Sequence, residues 1–287
     1  MTVNQLYKAV KDRLEADGID SPAFEARVLL CDTLGFSDSD LFIRCNDEVD
    51  GHISVKLSEL CRKRACGEPL QYLIGRWDFM GRSFEVGEGV LIPRPETELL
   101  CEKAVQALKN KKNAVVYDLC SGSGCIGITL KKECPDIDVF LVEKSERALF
   151  YLMKNASKHM KDTFYTIIRG DVLNVSSFEA YPDADLIISN PPYIRSDEVP
   201  LLQKEVTFEP QMALDGGEDG LDFYRVIISK WSKKLKSDGE FFFEIGEDQG
   251  EAVSGMLDKI GFDSRVIKDY NNLDRIVKGR KKPYNDI

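Results

Sequence analysis

The strongest constraint on the fold is an alternation that begins near residue 114. Short apolar runs at 115–119, 139–142, 164–168, 186–189, 240–244, 264–267 and 274–277 are separated by other kinds of segment. Helical patterning intervenes at 126–132, 146–158, 221–235 and 251–260. Strands this short and this apolar need cover on both faces, which parallel pairing with crossover helices supplies. The expectation is a doubly wound α/β domain of Rossmann-like architecture.

The first strand of that pattern runs into Asp118-Leu119-Cys120-Ser121-Gly122-Ser123-Gly124-Cys125-Ile126-Gly127. Glycines at the carboxyl end of a first parallel strand let backbone approach a ligand, and the following helix turns its first amides toward it. The loop lacks the Lys-Ser/Thr ending of a P-loop, which removes an NTPase. Asp118, Ser121, Gly122 and Gly124 are therefore candidate cofactor contacts. Glu143 ends the second strand, where a carboxylate can accept hydrogen bonds from a ribose diol. Asp171 follows the third strand in Gly170-Asp171-Val172 and can accept from an adenine amino group, or simply cap its loop. A dehydrogenase would share these features.

What separates the two is Asn190-Pro191-Pro192-Tyr193, directly after the fourth strand. Two prolines make a stiff turn, asparagine supplies an acceptor and two donors, and tyrosine supplies a flat face. Asn190 Oδ1 and the Pro191 carbonyl can accept both N–H bonds of a planar nitrogen. Its lone pair is then aimed at the methyl group of S-adenosylmethionine. Catalysis of that kind is mostly positioning, helped by Tyr193 near the cationic centre. A cofactor-binding scaffold without turnover would not need the tetrapeptide.

Ahead of this domain the pattern is helical. Val3, Leu6, Tyr7, Val10 and Leu14 share one helical face. Ser21-Pro22 reads as a cap with proline at the first helical position, Ser37 opens a short helix, and a fourth helix covers 53–65. Such faces bury each other in a small bundle. Tyr72-Leu73-Ile74-Gly75 and Phe79-Met80-Gly81-Arg82-Ser83-Phe84 read as short strands broken by glycine, a hairpin linker. Pro93 and Pro95 then open a helix running to about residue 108. The expected division is a helical domain over 1–68, a linker over 69–88 and a catalytic domain over 89–287.

Composition excludes other classes. A net charge of −10 disfavours a surface that tracks phosphates. No apolar run nears the roughly 20 residues that span a bilayer, and the N-terminus has no leader pattern, so a cytoplasmic protein is expected. The eight cysteines form no CxxC pair and neither histidine stands at metal-ligand spacing from them. They read as reduced, mostly buried small hydrophobes, with no metal site.

Several separated segments together resemble the HemK/PrmC family of release factor glutamine methyltransferases. They are Glu68-Pro69-Leu70-Gln71-Tyr72-Leu73-Ile74-Gly75, Leu91-Ile92-Pro93-Arg94-Pro95-Glu96-Thr97-Glu98, Asn190-Pro191-Pro192-Tyr193-Ile194, Phe208-Glu209-Pro210, Ala213-Leu214-Asp215-Gly216-Gly217 and Asp219-Gly220-Leu221. The resemblance implies a class I S-adenosylmethionine-dependent methyltransferase domain behind a small helical domain. It also implies a monomer whose substrate is the glutamine of the Gly-Gly-Gln motif in class I peptide chain release factors, with no direct nucleic acid. The family's glutamine contacts fall on Asn190 and the Pro191 backbone, with Pro192 and Tyr193 shaping the pocket, and its cofactor contacts on Gly122, Gly124, Glu143, Asp171 and Asn190. Arg94 and Glu98 shape the substrate entrance or serve as helix-end ion pairs. Cys120 stands where glycine is common and Glu143 where aspartate is common. The other class using this tetrapeptide, base-amine methyltransferases, must capture a base and clamp a phosphate backbone, which an acidic chain suits poorly. An acidic enzyme instead complements a basic, RNA-handling protein.

Overall fold

The computed structural model describes residues 1–174 and 178–282. Residues 283–287 of the expected catalytic domain lie outside it. The chain forms two compact units, one of Met1–Arg76 with Gln203–Phe208, the other of Trp77–Leu202 with Glu209–Ile287.

The first unit is helical. Helix α1 (Val3–Ala16) buries Val3, Leu6, Val10 and Leu14, and Thr2 and Gln5 close a capping box at its start. Helix α2 (Pro22–Leu34) opens on proline and ends at Gly35 with φ 68°, although the Ser21 side chain makes no cap bond. Helix α3 (Asp38–Ile43) has a capping box from Ser37 and Asp40. Helix α4 (Gly51–Ala65) starts ahead of residue 53 because Asp50 accepts the His52 N–H. In its last turn the buried Arg64 guanidinium pairs with Glu25 at 2.6 and 3.0 Å and with Glu205. Removing one partner of such a pair strands a buried charge, a loss of about 3–5 kcal/mol.

The expected strand at Tyr72-Leu73-Ile74-Gly75 is instead a helical turn, α5 (Leu70–Ile74). The Pro69 carbonyl accepts the N–H groups of Tyr72 and Leu73, and Gly75 at φ 74° terminates the turn. Local capping thus outweighs the β propensity of three residues. The hairpin lies just beyond, as β1 (Arg76–Phe79) and β2 (Arg82–Glu85). Met80 and Gly81 between them both have positive φ, which matches the twist of a tight two-residue turn.

The second unit contains α6 (Pro95–Leu108), β3 (Val115–Leu119), α7 (Cys125–Glu133), β4 (Asp138–Glu143), α8 (Glu146–His159), β5 (Tyr165–Arg169) and β6 (Ala184–Ser189). It continues through α9 (Asp222–Val226), β7 (Leu235–Glu244), α10 (Gly250–Lys259), β8 (Phe262–Lys268) and β9 (Asp274–Lys281). The seven-stranded sheet has the order β5-β4-β3-β6-β7-β9-β8, parallel except where β9 pairs antiparallel with β7 and β8. Alternate residues supply the two faces. Val116, Leu141 and Ile188 join one core with α6, α7 and α8, while Tyr117, Val142 and Ile187 join the other with Tyr224 and Trp231. All of β3 is buried, which explains its unbroken apolar run.

The helix expected over 221–235 is broken. After α9 the chain widens to a π-turn at Ile227–Trp231 and tightens at Ser232–Lys234. The extra residue per turn swings buried Trp231 so that its Nε1 donates to the Val172 carbonyl at 2.9 Å. That bond holds the loop after β5. The cysteines are less buried than expected: Cys61, Cys101 and Cys125 are buried, whereas Cys66 is exposed. Among the described residues no helix is long and apolar enough to cross a membrane.

Candidate active site

In a doubly wound sheet, ligands sit outside the carboxyl ends of the strands where the chain direction of winding reverses. Here that point lies between β3 and β6, and a cavity of about 570 Å³ opens there. Its walls come from the loops after β3, β4, β5 and β6 and from the segment leading into α6.

The glycine loop forms one wall. Gly122 and Gly124 have φ of 54° and 82°, and Cys120 takes φ 61° despite its Cβ. A Cβ on Gly127 would come within 2.6 Å of Leu141 and 3.0 Å of Asp118 Oδ2, so that glycine lets α7 seat on the sheet. Asp118 lies fully buried beneath the loop rather than in the cavity wall. Its Oδ2 accepts the Gly127 N–H at 2.9 Å, while Oδ1 is buried without a partner. Burial pushes its carboxyl up to about 7. Ser121 and Gly122 line the cavity, and the Ser121 hydroxyl donates to the Asp118 carbonyl at 2.7 Å.

Glu143 faces the same space. Its Oε1 accepts the N–H groups of Lys144 and Ser145 at 2.8 and 2.7 Å, and Oε2 accepts that of Gly122 at 2.8 Å. A carboxylate offers about four acceptor sites, so one remains, on Oε2. The longer side chain thus ties the loops after β3 and β4 together before any ligand arrives. Asp171 caps its own loop by accepting the Leu173 N–H at 2.9 Å, and pairs with Lys144 at 2.8 Å. Burial opposes its ionisation, but Lys144 and the backbone donor outweigh it and hold the carboxyl below its usual range.

Asn190 and Pro192 line the opposite wall; Pro191 is buried behind them and Tyr193 packs on the aromatic core. Burial raises the Tyr193 hydroxyl above its usual range. The segment just beyond the tetrapeptide holds it in place. The Gly216 N–H donates to the Ile194 carbonyl and the Ile194 N–H to that of Leu214, at 2.8 and 2.9 Å. Gln249 Nε2 donates to the Tyr193 carbonyl at 2.9 Å. A Cβ on Gly216 would lie 2.7 Å from Tyr193 Cα and 2.8 Å from the Pro192 carbonyl oxygen, which explains the glycine at that position.

Arg94 lines the cavity and pairs with buried Glu209, whose other oxygen accepts the Ile92 N–H at 2.9 Å. Glu98 is turned away, accepting the Met80 N–H at 2.7 Å. Four supporting residues were not singled out by sequence reasoning: Thr97, Glu209, Glu244 and Gln249. Thr97 and Glu209 stand inside segments that carry the family resemblance, and Glu244 ends a strand; nothing in the sequence marked Gln249. Among the described residues no cluster of side chains suits a metal ion.

A parallel sheet with an antiparallel edge pair, a glycine loop after its first strand and an asparagine-proline turn after its fourth belongs to the class I methyltransferases. A methyltransferase from Pyrococcus furiosus shares this fold, with a TM-score of 0.53, 15% identity, and 71% of this chain and 90% of that one covered. Residues 5–75 match the PrmC N-terminal domain and residues 97–207 the methyltransferase small domain. The release factor glutamine methyltransferase of Thermodesulfovibrio yellowstonii is 38% identical over 88% of this chain and 90% of its own. That of Geobacter sulfurreducens is 36% identical over 97% and 96%. The chain belongs to the release factor glutamine methyltransferase family and is an enzyme of that family.

Proposed function

We propose that the enzyme transfers the methyl group of S-adenosylmethionine to the side-chain amide nitrogen (N5) of the glutamine in the Gly-Gly-Gln motif of class I peptide chain release factors. The observation that carries this reading is that Asn190 and Glu143 face one cavity of about 570 Å³, within the size range of cofactor sites. The polar groups fit such a cofactor: a remaining acceptor on Glu143 for a ribose hydroxyl, Asp171 for an adenine amino group, and Gly122, where an added Cβ would meet only open space. Ser121 and Gly122 line the cradle; Gly124, expected as a contact, instead lies behind it, where its missing Cβ makes room for Leu152 and Ile128, and Asp118 supports the loop from beneath. Bound there, the cofactor supplies an electrophilic methyl group on sulfur.

The protein's own work is positioning. Asn190 Oδ1 and the Pro191 carbonyl accept the two amide N–H bonds, and Pro192 and Tyr193 shape the slot. Holding both N–H bonds favours a nitrogen whose lone pair leaves conjugation and points along the methyl–sulfur axis. The new N–C bond forms as the C–S bond breaks, and one amide proton leaves to solvent. No metal takes part in this scheme. The functional division is a helical domain over 1–68, a linker over 69–88 and a catalytic domain over 89–287. A translation-factor substrate places the enzyme in the cytoplasm, acting as a monomer on a protein and not on nucleic acid.

The test is label transfer from radioactive S-adenosylmethionine to three acceptors: a release factor, its Gly-Gly-Gln glutamine-to-alanine variant, and adenine-containing DNA and RNA. Label on the release factor that vanishes in the variant is the expected result. Label on nucleic acid alone would overturn the substrate assignment.

A further inference from the structure

The parallel register of β6 and β7 pairs Ser189 with Phe243, so the next residues, Asn190 and Glu244, emerge side by side at the carboxyl edge of the sheet. Between them stands Thr97, in the first turn of α6 and buried. Its hydroxyl donates to Glu244 Oε2 at 2.6 Å, and Asn190 Nδ2 donates to Thr97 Oγ1 at 3.2 Å. Glu244 is 1% exposed, and the Tyr224 hydroxyl donates to its backbone carbonyl at 2.7 Å.

Counting protons fixes the direction of this chain. A threonine hydroxyl carries one proton, and an ionised carboxylate can only accept, so that proton goes to Glu244. The group on the other side of Thr97 must then be a donor. Asparagine satisfies this only with its NH2 end turned inward, which leaves Oδ1 facing outward. Among the described residues nothing donates to that Oδ1.

We propose that Glu244, acting through Thr97, is the positioning residue that holds the Asn190 carboxamide with its acceptor end toward the substrate nitrogen. This rests on the methyl-transfer reading of the site. An amide substrate presents N–H donors to this slot, so a carboxamide rotated by half a turn would set donor against donor. A protonated Glu244 could donate to Thr97, freeing the threonine proton to hydrogen-bond Asn190 Oδ1 and stabilising that rotated form. The chain Glu244–Thr97–Asn190 therefore makes the acceptor geometry conditional on an ionised Glu244.

The surroundings put this ionisation within reach of ordinary pH. Burial pushes the Glu244 carboxyl up to about 7; the Thr97 bond and the charges of Arg275 and Arg94 oppose the rise, and Glu96 adds to it. Those groups come from α6, β9 and the segment before α6; Tyr193, Tyr224, Cys101 of α6 and Cys125 of α7 face it as well. The active state is the deprotonated one, so the rate rises with pH through this range and levels above it.

The experiment measures kcat and KM for release-factor methylation from pH 5.5 to 9, with S-adenosylmethionine affinity by calorimetry, in the full-length enzyme. Thr97→Val keeps the shape and removes the relay; it should lower kcat about 100-fold, the cost of a misaligned reacting group, with cofactor affinity within about twofold. Thr97→Ser restores the hydroxyl and should recover rate and pH profile together. Glu244→Gln should flatten the acidic limb of the kcat profile. Should Glu244→Gln fail to fold, the threonine pair carries the test alone. Thr97→Val turning over like the unmodified enzyme, Thr97→Ser as impaired as Thr97→Val, or an acidic limb that survives in folded Glu244→Gln would each overturn the proposal. An unmodified enzyme that puts no label on the Gly-Gly-Gln glutamine would sink the methyl-transfer reading itself, and this proposal with it.

Discussion

Gly220→Ala separates the geometry of the turn at Asn190–Tyr193 from ordinary backbone strain. Gly220 has φ 73°, and a Cβ there would fall well inside 3.0 Å of the Tyr193 carbonyl oxygen and 2.7 Å from Gln249 Nε2. The left-handed conformation costs alanine about 1 kcal/mol or a little more. The added carbon also forces the Tyr193 carbonyl to retreat by roughly 1 Å in a close-packed region, which breaks its bond from Gln249 for about another 1 kcal/mol. The sum is about 2–3 kcal/mol of stability. Because Tyr193 is continuous with Asn190-Pro191-Pro192, the same displacement should lower kcat/KM about 100-fold. Gly261→Ala is the control: its φ is 86° but nothing lies within 4 Å of the added carbon. It should lose only the backbone penalty, about 1 kcal/mol, and keep its rate. Urea unfolding with release-factor methylation kinetics on both variants reads the difference. If Gly220→Ala matches Gly261→Ala in stability and in rate, the close approach does not hold that turn and the reasoning fails.

Asn190→Ala should abolish methyl transfer, by about 1,000-fold or more, while cofactor binding by calorimetry stays nearly intact; near-normal turnover would reject the mechanism. Glu143→Ala should weaken S-adenosylmethionine binding about 10- to 100-fold, the worth of one charge-assisted hydrogen bond, and unchanged affinity would reject the ribose assignment. Cys120→Gly relieves a left-handed cysteine at φ 61° and should stabilise the fold by about 0.5–1 kcal/mol, the conformational penalty less glycine's greater unfolded entropy; a lower urea midpoint would contradict it. Asp118 keeps its proton up to about pH 7 in the folded state but loses it near 4 when unfolded. The folded state thus binds more protons in between, and stability falls as pH rises from about 4 to 7 and is level above. Asp118→Asn removes that dependence, so its stability relative to the unmodified enzyme should be greater at pH 8 than at pH 5; urea unfolding at the two values showing no such difference would refute the assignment.

Much of the architecture was legible because it rests on local rules. Proline at the first helical position marked the starts of α2 and α6, and Ser37 that of α3, while the predicted end of α6 near residue 108 matches Leu108. The apolar run at Val115–Leu119 stood out because both faces of that strand are covered. The errors fell where local signals conflict. Tyr72, Leu73 and Ile74 have β-forming side chains, yet Pro69 and Gly75 cap them into a helical turn. The broken helix after residue 221 could not be foreseen, since the π-turn answers to the Val172 carbonyl, distant in sequence.

By itself the sequence determined the residue types of the site: a glycine loop, an acid after the second strand, and an asparagine before two prolines. These depend on what each side chain can donate, accept or leave open, which is a property of the residue. Only the tertiary structure decided that Glu143 has already committed most of its acceptors to backbone amides. The same holds for Thr97 and Glu244, which lie far from Asn190 in the chain yet set which end of its carboxamide faces the cavity. The reason is that a hydrogen-bond donor is consumed by whichever acceptor the fold brings within about 3 Å. Sheet register and helix placement choose that acceptor, and no spacing along the chain encodes it.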